Sequence, residues 1–97
     1  MITTDEMKVE VTKIVGRVMP SVEIARVNSK AITDSNGDAS IAITIVVRQR
    51  PPRKEAEKLV EVVDQFRTWL VNRNDERFPY FRLLSEDEER ELQKADS

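Results

Sequence analysis

The chain has 97 residues, which is enough for one hydrophobic core and too few for two. Hydrophobic residues make up 39% and charged residues 35%, so the composition is that of a folded domain rather than a disordered or low-complexity chain. The net charge of -2 gives the chain as a whole no attraction to nucleic acid or to anionic membranes. Neither Cys nor His is present, which excludes disulfides, thiolate and imidazole metal sites, and catalysis by either residue type.

The N-terminal sequence predicts no targeting segment. Residues 1–6 are partly acidic and lack the apolar stretch of a signal peptide. The longest apolar run, 41–47, is far shorter than the roughly 20 residues that span a bilayer. We therefore expect a cytoplasmic protein with a single domain over 1–97, frayed at 1–3 and 95–97.

The first predicted element is an amphipathic helix. Thr3 and Glu6 have the spacing of a capping box, in which each side chain accepts a hydrogen bond from an unpaired amide at the helix start. Apolar residues then recur at helical spacing until Met19-Pro20 ends the pattern. This stripe comprises Met7, Val11, Ile14, Val15 and Val18. Gly16 is unfavourable inside a helix, so it indicates a close packing contact or an early helix end.

Two strands joined by a hairpin turn are predicted next. β-branched residues over 22–32 alternate with polar ones, and a change of phase after Ile24 indicates a β-bulge. Asn36-Gly37 then predicts a tight turn, because both residues tolerate a positive φ angle. The second strand should bury one row of side chains: Ile41, Ile43, Ile45 and Val47. Its opposite face, with Ala42 and Thr44, is small and semi-polar.

A long helix, an edge strand and a short charged helix complete the chain. Pro51-Pro52 ends the second strand and starts a helix of about five turns that ends near 72–75. Its predicted stripe is Ala56, Leu59, Val60, Val63, Phe66 and Leu70, with Val62 and Trp69 beside it. The strand 78–84 contains a proline and therefore belongs at a sheet edge. Ser85 and Glu88 form a second capping-box spacing, which starts the last helix.

Together these elements predict a two-layer α+β fold in the order α-β-β-α-β-α. The small three-stranded sheet consists of the hairpin and the edge strand, with helices packed on the face that carries Ile41 and Ile43. No internal repeat or long linker divides the chain, so one core is expected.

Four cations between the second strand and the long helix form what we call the basic segment (48–54): Arg48, Arg50, Arg53 and Lys54. Free amides at a helix start, the helix dipole and Arg side chains together suit a phosphate group. The segment is therefore a candidate phosphate or nucleic-acid contact. The alternative is that its charges only keep the surface hydrated, since Glu55 and Glu57 partly cancel them and no aromatic residue is interleaved for base stacking.

Most of the aromatic residues are concentrated at Trp69 and in the segment 78–81. Aromatic side chains are favoured at interface centres, so Trp69, Tyr80 and Phe81 are candidate partner contacts. The alternative is a structural cluster that closes the sheet edge against the long helix and leaves Trp69 and Tyr80 partly exposed.

One stretch of the chain resembles the minimal nucleotidyltransferases. In that family a strand leads into a Gly-Ser turn, and the next strand carries two Asp residues that hold magnesium. Here the strand over 22–27 leads to Asn28-Ser29, where Ser29 matches the family's Ser. Asn28 replaces the Gly, and Ser40 and Ala42 replace the Asp pair, without which the transfer chemistry fails. The resemblance implies a catalytically inactive relative that pairs with a toxin-like helical protein. The segment 78–88 also resembles small bacterial proteins without an assigned function.

Three functional hypotheses follow. The first is a non-enzymatic bacterial interaction module that binds another protein or a second copy, since the acidic residues of 86–96 oppose the basic segment and permit head-to-tail association. The second is a degenerate nucleotidyltransferase-like subunit of a toxin-antitoxin pair, which retains phosphate or nucleotide binding through Ser29 and the basic segment. The third is weak nucleic-acid binding through the basic segment alone. No catalytic residue, metal, cofactor or membrane contact is predicted.

Overall fold

The computed structural model describes residues 2–95. Its elements are α1 (Thr4–Val18), β1 (Ile24–Thr33), β2 (Ala39–Val47), α2 (Arg53–Ala56), α3 (Leu59–Asn72), β3 (Phe78–Ser85) and α4 (Glu86–Ala95). The one-turn α2 and the long α3 together occupy the place of the predicted long helix, so the predicted α+β class and element order are confirmed. The predicted fraying at Met1, Asp96 and Ser97 lies outside the described residues.

The sheet is mixed, with β2 at its centre. β1 pairs with β2 in the antiparallel sense as a hairpin, whereas β3 pairs with β2 in parallel after the helical crossover. The register shifts between Ile24 and Arg26, which confirms the predicted β-bulge. β3 lies at the sheet edge, where the missing amide of Pro79 does not interrupt a central ladder.

One face of the sheet, the core face, is covered by α1 and α3. The predicted β2 row is buried there: Ile41, Ile43, Ile45 and Val47. The helices contribute Met7, Val11, Ile14, Val15, Val62, Phe66 and Leu70 to the same core. The capping box of Thr3 and Glu6 holds the start of α1 as predicted, because each residue accepts a hydrogen bond from the other's amide.

The long helix differs from the prediction in its continuity and in its buried stripe. Between α2 and α3 the Lys58 amide donates to the Glu55 carbonyl, a 3₁₀-type bond that tightens the chain by a fraction of a turn. Within α3 itself, at about 100° per residue, Val62 lies about 40° from Phe66 around the helix and Val60 about 120° from it. Val62, predicted beside the stripe, is fully buried, whereas Val60, predicted within it, is 76% exposed.

The hairpin turn forms at the predicted residues with a different backbone geometry. The Gly37 amide donates to the Asp34 carbonyl at 3.0 Å, and Gly37 has a φ of 84°. Asn36 does not share this positive φ. The reason is that the Asp34 carboxylate accepts the amides of Asn36 and Asp38, at 2.9 Å and 3.0 Å, and holds a turn in which only Gly37 needs the left-handed region.

The two glycines predict opposite effects of one substitution. Gly37→Ala places a Cβ on a residue with a φ of 84°, so we expect the free energy of unfolding to fall by about 1–2 kcal/mol. Gly16 lies inside α1, which continues to Val18, and an added Cβ meets nothing within 4 Å. Gly16 therefore marks neither a close packing contact nor an early helix end. Gly16→Ala should raise the free energy of unfolding by about 0.5–1 kcal/mol. Urea unfolding measures both changes, and a destabilising Gly16→Ala would contradict this account.

Candidate binding surface

The second face of the sheet is largely open. Side chains from all three strands stand in rows across it, since residues paired in the register point to the same side. We define the open sheet face as the two middle rows of this side together with Phe78: Lys30, Ala42, Tyr80, Asn28, Thr44, Arg82 and Phe78. The small side chains of Ala42 and Thr44 occupy the centre, and longer ones stand on either side. The face is therefore a shallow trough along β2.

Helix α4 covers one end of this side of the sheet. It contacts β2 and β3, where Val46 and Leu84 are neighbours in the register and are buried outside the main core. Arg26 lies in the same row as Val46 and forms an ion pair with Glu89 of α4. The open sheet face begins one row beyond this covered end.

The predicted aromatic cluster divides between the two sides of the sheet. Phe66, at the centre of the core, stacks on Trp69 and meets Phe81 edge to face, with ring centroids 5.5 Å apart in both pairs. The Arg73 guanidinium lies 4.8 Å from the centroid of the Trp69 ring. Trp69 and Phe81 are thus half-buried against the core. Of the three predicted partner contacts, Tyr80 belongs to the open sheet face.

Phe78 and Tyr80 form an exposed aromatic pair. They are 44% and 46% exposed, and their ring centroids are 4.9 Å apart. The Arg67 guanidinium lies 5.1 Å from the Phe78 ring centroid, and the Tyr80 hydroxyl donates to Asp34 Oδ2 at 3.3 Å. Partial desolvation and the Asp34 carboxylate raise the pKa of Tyr80 above its ordinary value, so the phenol stays neutral. The pair is held by both neighbours and keeps ring surface free.

The Asp34 carboxylate is engaged by its own hairpin. In addition to the two turn amides, it accepts a hydrogen bond from the Ser40 hydroxyl at 3.2 Å. The Asp38 amide is the main cause that holds the pKa of Asp34 below its ordinary value. This anion is therefore part of the turn. Within residues 2–95, no group of three or more acidic side chains is arranged to hold a metal ion.

A cavity of about 820 Å³ adjoins the aromatic pair at one end of the sheet. It lies between the hairpin residues 34–40 and the loop 73–77, and Phe78 and Tyr80 line one side of it. Its lining includes four acidic residues (Asp34, Asp38, Asp75 and Glu76) and two arginines (Arg73 and Arg77), so it carries a net negative charge. The cavity therefore extends the open sheet face at the end that carries Phe78, and the net charge of its lining there is negative.

An ion pair that was not predicted from the sequence lines the same cavity. Arg77 Nη2 lies 2.7 Å from Asp75 Oδ2, and the two side chains are 11% and 4% exposed. Arg77 also donates to the Ile2 carbonyl at 3.0 Å, which joins the N-terminus to the loop before β3. The signal available in the sequence was an acid and a base two residues apart after a helix, and such pairs are common in a chain this rich in charge.

The basic segment is paired with acids of its own chain. Three of its cations each lie near a carboxylate: Arg48 with Glu86 at 3.1 Å, Arg50 with Glu88 at 3.5 Å, and Arg53 with Glu57 at 3.6 Å. Two of these acids belong to α4, the helix predicted to permit head-to-tail association. The opposed charge blocks therefore meet within one molecule, and little net charge remains for a phosphate group.

Ser29 lies apart from the basic segment. It pairs in register with Ile43 on the core face, where its hydroxyl is 3.7 Å from the Met7 sulfur. Arg48 follows five residues beyond Ile43, which is about 17 Å of extended chain. The structure does not bring Ser29 and the basic segment together.

Two cations of the open sheet face have no acid partner. Lys30 on β1 and Arg82 on β3 stand on opposite sides of the trough, and neither is within ion-pair distance of a carboxylate of residues 2–95. Both side chains are exposed. The face is thus locally positive on a chain whose net charge is -2. Neither residue could be recognised from the sequence as part of a site, because only pairing through β2 brings them onto one face.

Comparison of the chain with protein-family models, with curated proteins and with solved structures finds no match. In the part of the chain that the structure describes, no helix is long and apolar enough to cross a membrane.

Proposed function

We propose that this chain is a non-enzymatic interaction module of the bacterial cytoplasm, which binds a partner macromolecule through the open sheet face. The observation that supports this most is the exposed pair of Phe78 and Tyr80 beside two cations without acid partners. Aromatic rings bury a large area at a low cost in side-chain entropy, and unpaired cations add charge selectivity. The surface is therefore suited to recognition.

The carboxylates near this surface are poorly suited to acid or base catalysis. Asp34 accepts hydrogen bonds from its turn, and Asp75 is paired with Arg77. Both interactions lower the pKa of the carboxyl group, so each stays ionised and is a weak base at neutral pH. This supports a binding role over a catalytic one.

A second copy docked face to face would fit this surface poorly. Lys30 and Arg82 of each copy would need a free carboxylate on the other. Asp34 and Glu89, at the two ends of the same side, are already engaged by the hairpin and by Arg26. Asp38 and Glu76 lie beyond the Phe78 end of the face. A partner that carries its own negative charge is therefore favoured over self-association through this face.

Site-specific photo-crosslinking in the source organism tests the proposal. The photoreactive residue p-benzoylphenylalanine replaces Tyr80 in one variant and Val60 in a matched control, which is 76% exposed on α3. We expect discrete adducts at position 80 and none at position 60, and digestion with nuclease or protease then gives the class of the partner. The absence of adducts at position 80, or the same pattern at both positions, would overturn the proposal.

A further inference from the structure

We propose that the partner of the open sheet face is single-stranded nucleic acid, whose bases stack on Phe78 and Tyr80 and whose phosphates pair with Lys30 and Arg82. This inference rests on the proposed function and names its class of partner. Three features of the face support it: the exposed rings, the low centre formed by small side chains, and the placement of the cations.

The aromatic pair provides the stacking surface. Unpaired bases expose flat π faces, and aromatic side chains stack on them whatever the base. Tyr80 and Phe78 are each nearly half exposed, and their contacts with Asp34 and Arg67 fix the rings before any ligand binds. Little side-chain order is lost on binding, which favours affinity.

The centre of the trough leaves room for a base beside these rings. Ala42 lies between Lys30 and Tyr80 in one row, and Thr44 lies between Asn28 and Arg82 in the next. A methyl group and a short hydroxyl side chain keep the middle of the face low. The hydroxyl of Thr44 and the amide of Asn28 also offer hydrogen bonds to base edges.

The two cations lie within reach of the phosphates of a nucleic-acid strand bound on this surface. Strands are spaced by about 4.8 Å, so Lys30 is about 10 Å from Tyr80 across the sheet, while Arg82 follows Tyr80 by about 7 Å along β3. A long flexible side chain from either position reaches a phosphate attached to a base stacked on Tyr80. Neither cation has to leave an intramolecular ion pair to do so.

Other anionic partners fit the same face less well. A duplex keeps its bases paired and stacked, so the two rings would have no base face to meet. An acidic protein segment would pair with Lys30 and Arg82, but its carboxylates would offer no planar ring to stack on Phe78 and Tyr80. Single-stranded nucleic acid is the partner that uses both the rings and the charges.

Fluorescence anisotropy with labelled oligonucleotides of about 10 nucleotides tests the role of the rings. At low salt we expect the full chain to bind single-stranded RNA or DNA with a Kd on the order of 10⁻⁵ M. Tyr80→Ala should weaken binding about tenfold because the stacking surface is lost. Tyr80→Phe keeps the ring and should bind like the wild type. A duplex of the same sequence should bind more weakly than the single strand.

A pair of double variants tests the charges. Lys30→Ala with Arg82→Ala should weaken binding about tenfold and reduce its salt dependence, since each phosphate contact contributes a slope of about -0.7 for single strands. Arg50→Ala with Arg53→Ala removes the same charge from the basic segment and should leave the affinity within about twofold. Circular dichroism melting verifies that all variants are folded.

Three results would overturn the inference: no binding of any single strand, equal binding of the duplex, or equal losses for the two double variants. Binding of poly-glutamate to the face in preference to the oligonucleotide would overturn it as well. These results differ from failure of the proposed function. If position 80 forms protein adducts in cells while oligonucleotides do not bind, the interaction module stands and its partner is a protein.

Discussion

Asp75→Ala lowers the free energy of unfolding by about 3–5 kcal/mol, which is the cost of removing one partner of a buried ion pair. Asp75 and Arg77 are nearly inaccessible and their closest atoms are 2.7 Å apart. Removal of the carboxylate leaves the guanidinium desolvated without a counter-charge. It also frees Arg77 from the geometry in which it donates to the Ile2 carbonyl, so the start of α1 loses an anchor.

Chemical denaturation measures this loss, and Asp87→Ala is the matched control. Asp87 pairs with Arg90 at 3.1 Å, yet the two side chains are 89% and 66% exposed. Solvent screens such a pair, so the control should change the stability by less than about 0.5 kcal/mol. A loss below about 1 kcal/mol for Asp75→Ala would show that the Asp75–Arg77 pair is not buried in solution.

The same ion pair gives the protein a pH dependence of stability at acid pH. The side-chain hydrogen bond from Arg77 is the main cause that holds the pKa of Asp75 below its ordinary value of 3.8. Because the unfolded chain then binds protons more readily, the stabilisation is present above about pH 4 and is lost as the pH falls through the folded-state pKa. Asp75→Asn lacks this contribution, so its stability should fall less than that of the wild type below about pH 4. Equal pH profiles would contradict this role of the pair.

Phe66→Ala should also destabilise the protein by about 3–5 kcal/mol. Phe66 is fully buried, and its ring contacts those of Trp69 and Phe81. Truncation opens a cavity between α3 and the sheet, which the rigid strands on one side cannot fill. Thermal or urea unfolding measures the change.

Val60→Ala on the same helix is the control for Phe66→Ala. Val60 is 76% exposed, so its truncation should alter the free energy of unfolding by less than about 0.5 kcal/mol. Both residues belong to the stripe predicted from the sequence, and only one is in the core. A large loss for Val60→Ala would mean that Val60 packs in the core, as predicted from the sequence.

Features with a cause within a few residues could be predicted from the sequence. Both capping boxes are present, at Thr3 with Glu6 and at Ser85 with Glu88, because the partners of each bond are three residues apart. The bulge after Ile24 follows from a local change of phase in the same way. These elements together determined the fold class.

The break between α2 and α3 could not be predicted. The tightened stretch at Glu57 and Lys58 contains no Gly or Pro, so nothing in the sequence marks the break. The buried positions within α3 were predictable, because at about 100° per residue Val62 lies about 40° from Phe66 whereas Val60 lies about 120° from it, in agreement with their exposures.

The binding surface depends on long-range pairing and was only partly predictable. Tyr80 could be identified because aromatic side chains are favoured at interface centres, whereas Lys30 and Arg82 lie on strands whose common neighbour is known only from the register. The parallel pairing of β3 with β2 places Tyr80 opposite Ala42. Within β3, successive side chains point to opposite faces, so Tyr80 lies on the open sheet face and Phe81 on the core face. The composition of the segment alone does not show this difference.

Amide chemical-shift mapping tests most directly whether the open sheet face is the recognition surface. A ¹⁵N-labelled sample of the full chain is titrated with a single-stranded oligonucleotide under low-salt conditions. We expect saturable shifts at the amides of Lys30, Ala42, Tyr80 and Arg82 and their row neighbours, and constant positions along the exposed side of α1. Shifts confined to the basic segment (48–54), or no saturable shifts on β1, β2 and β3, would contradict the account.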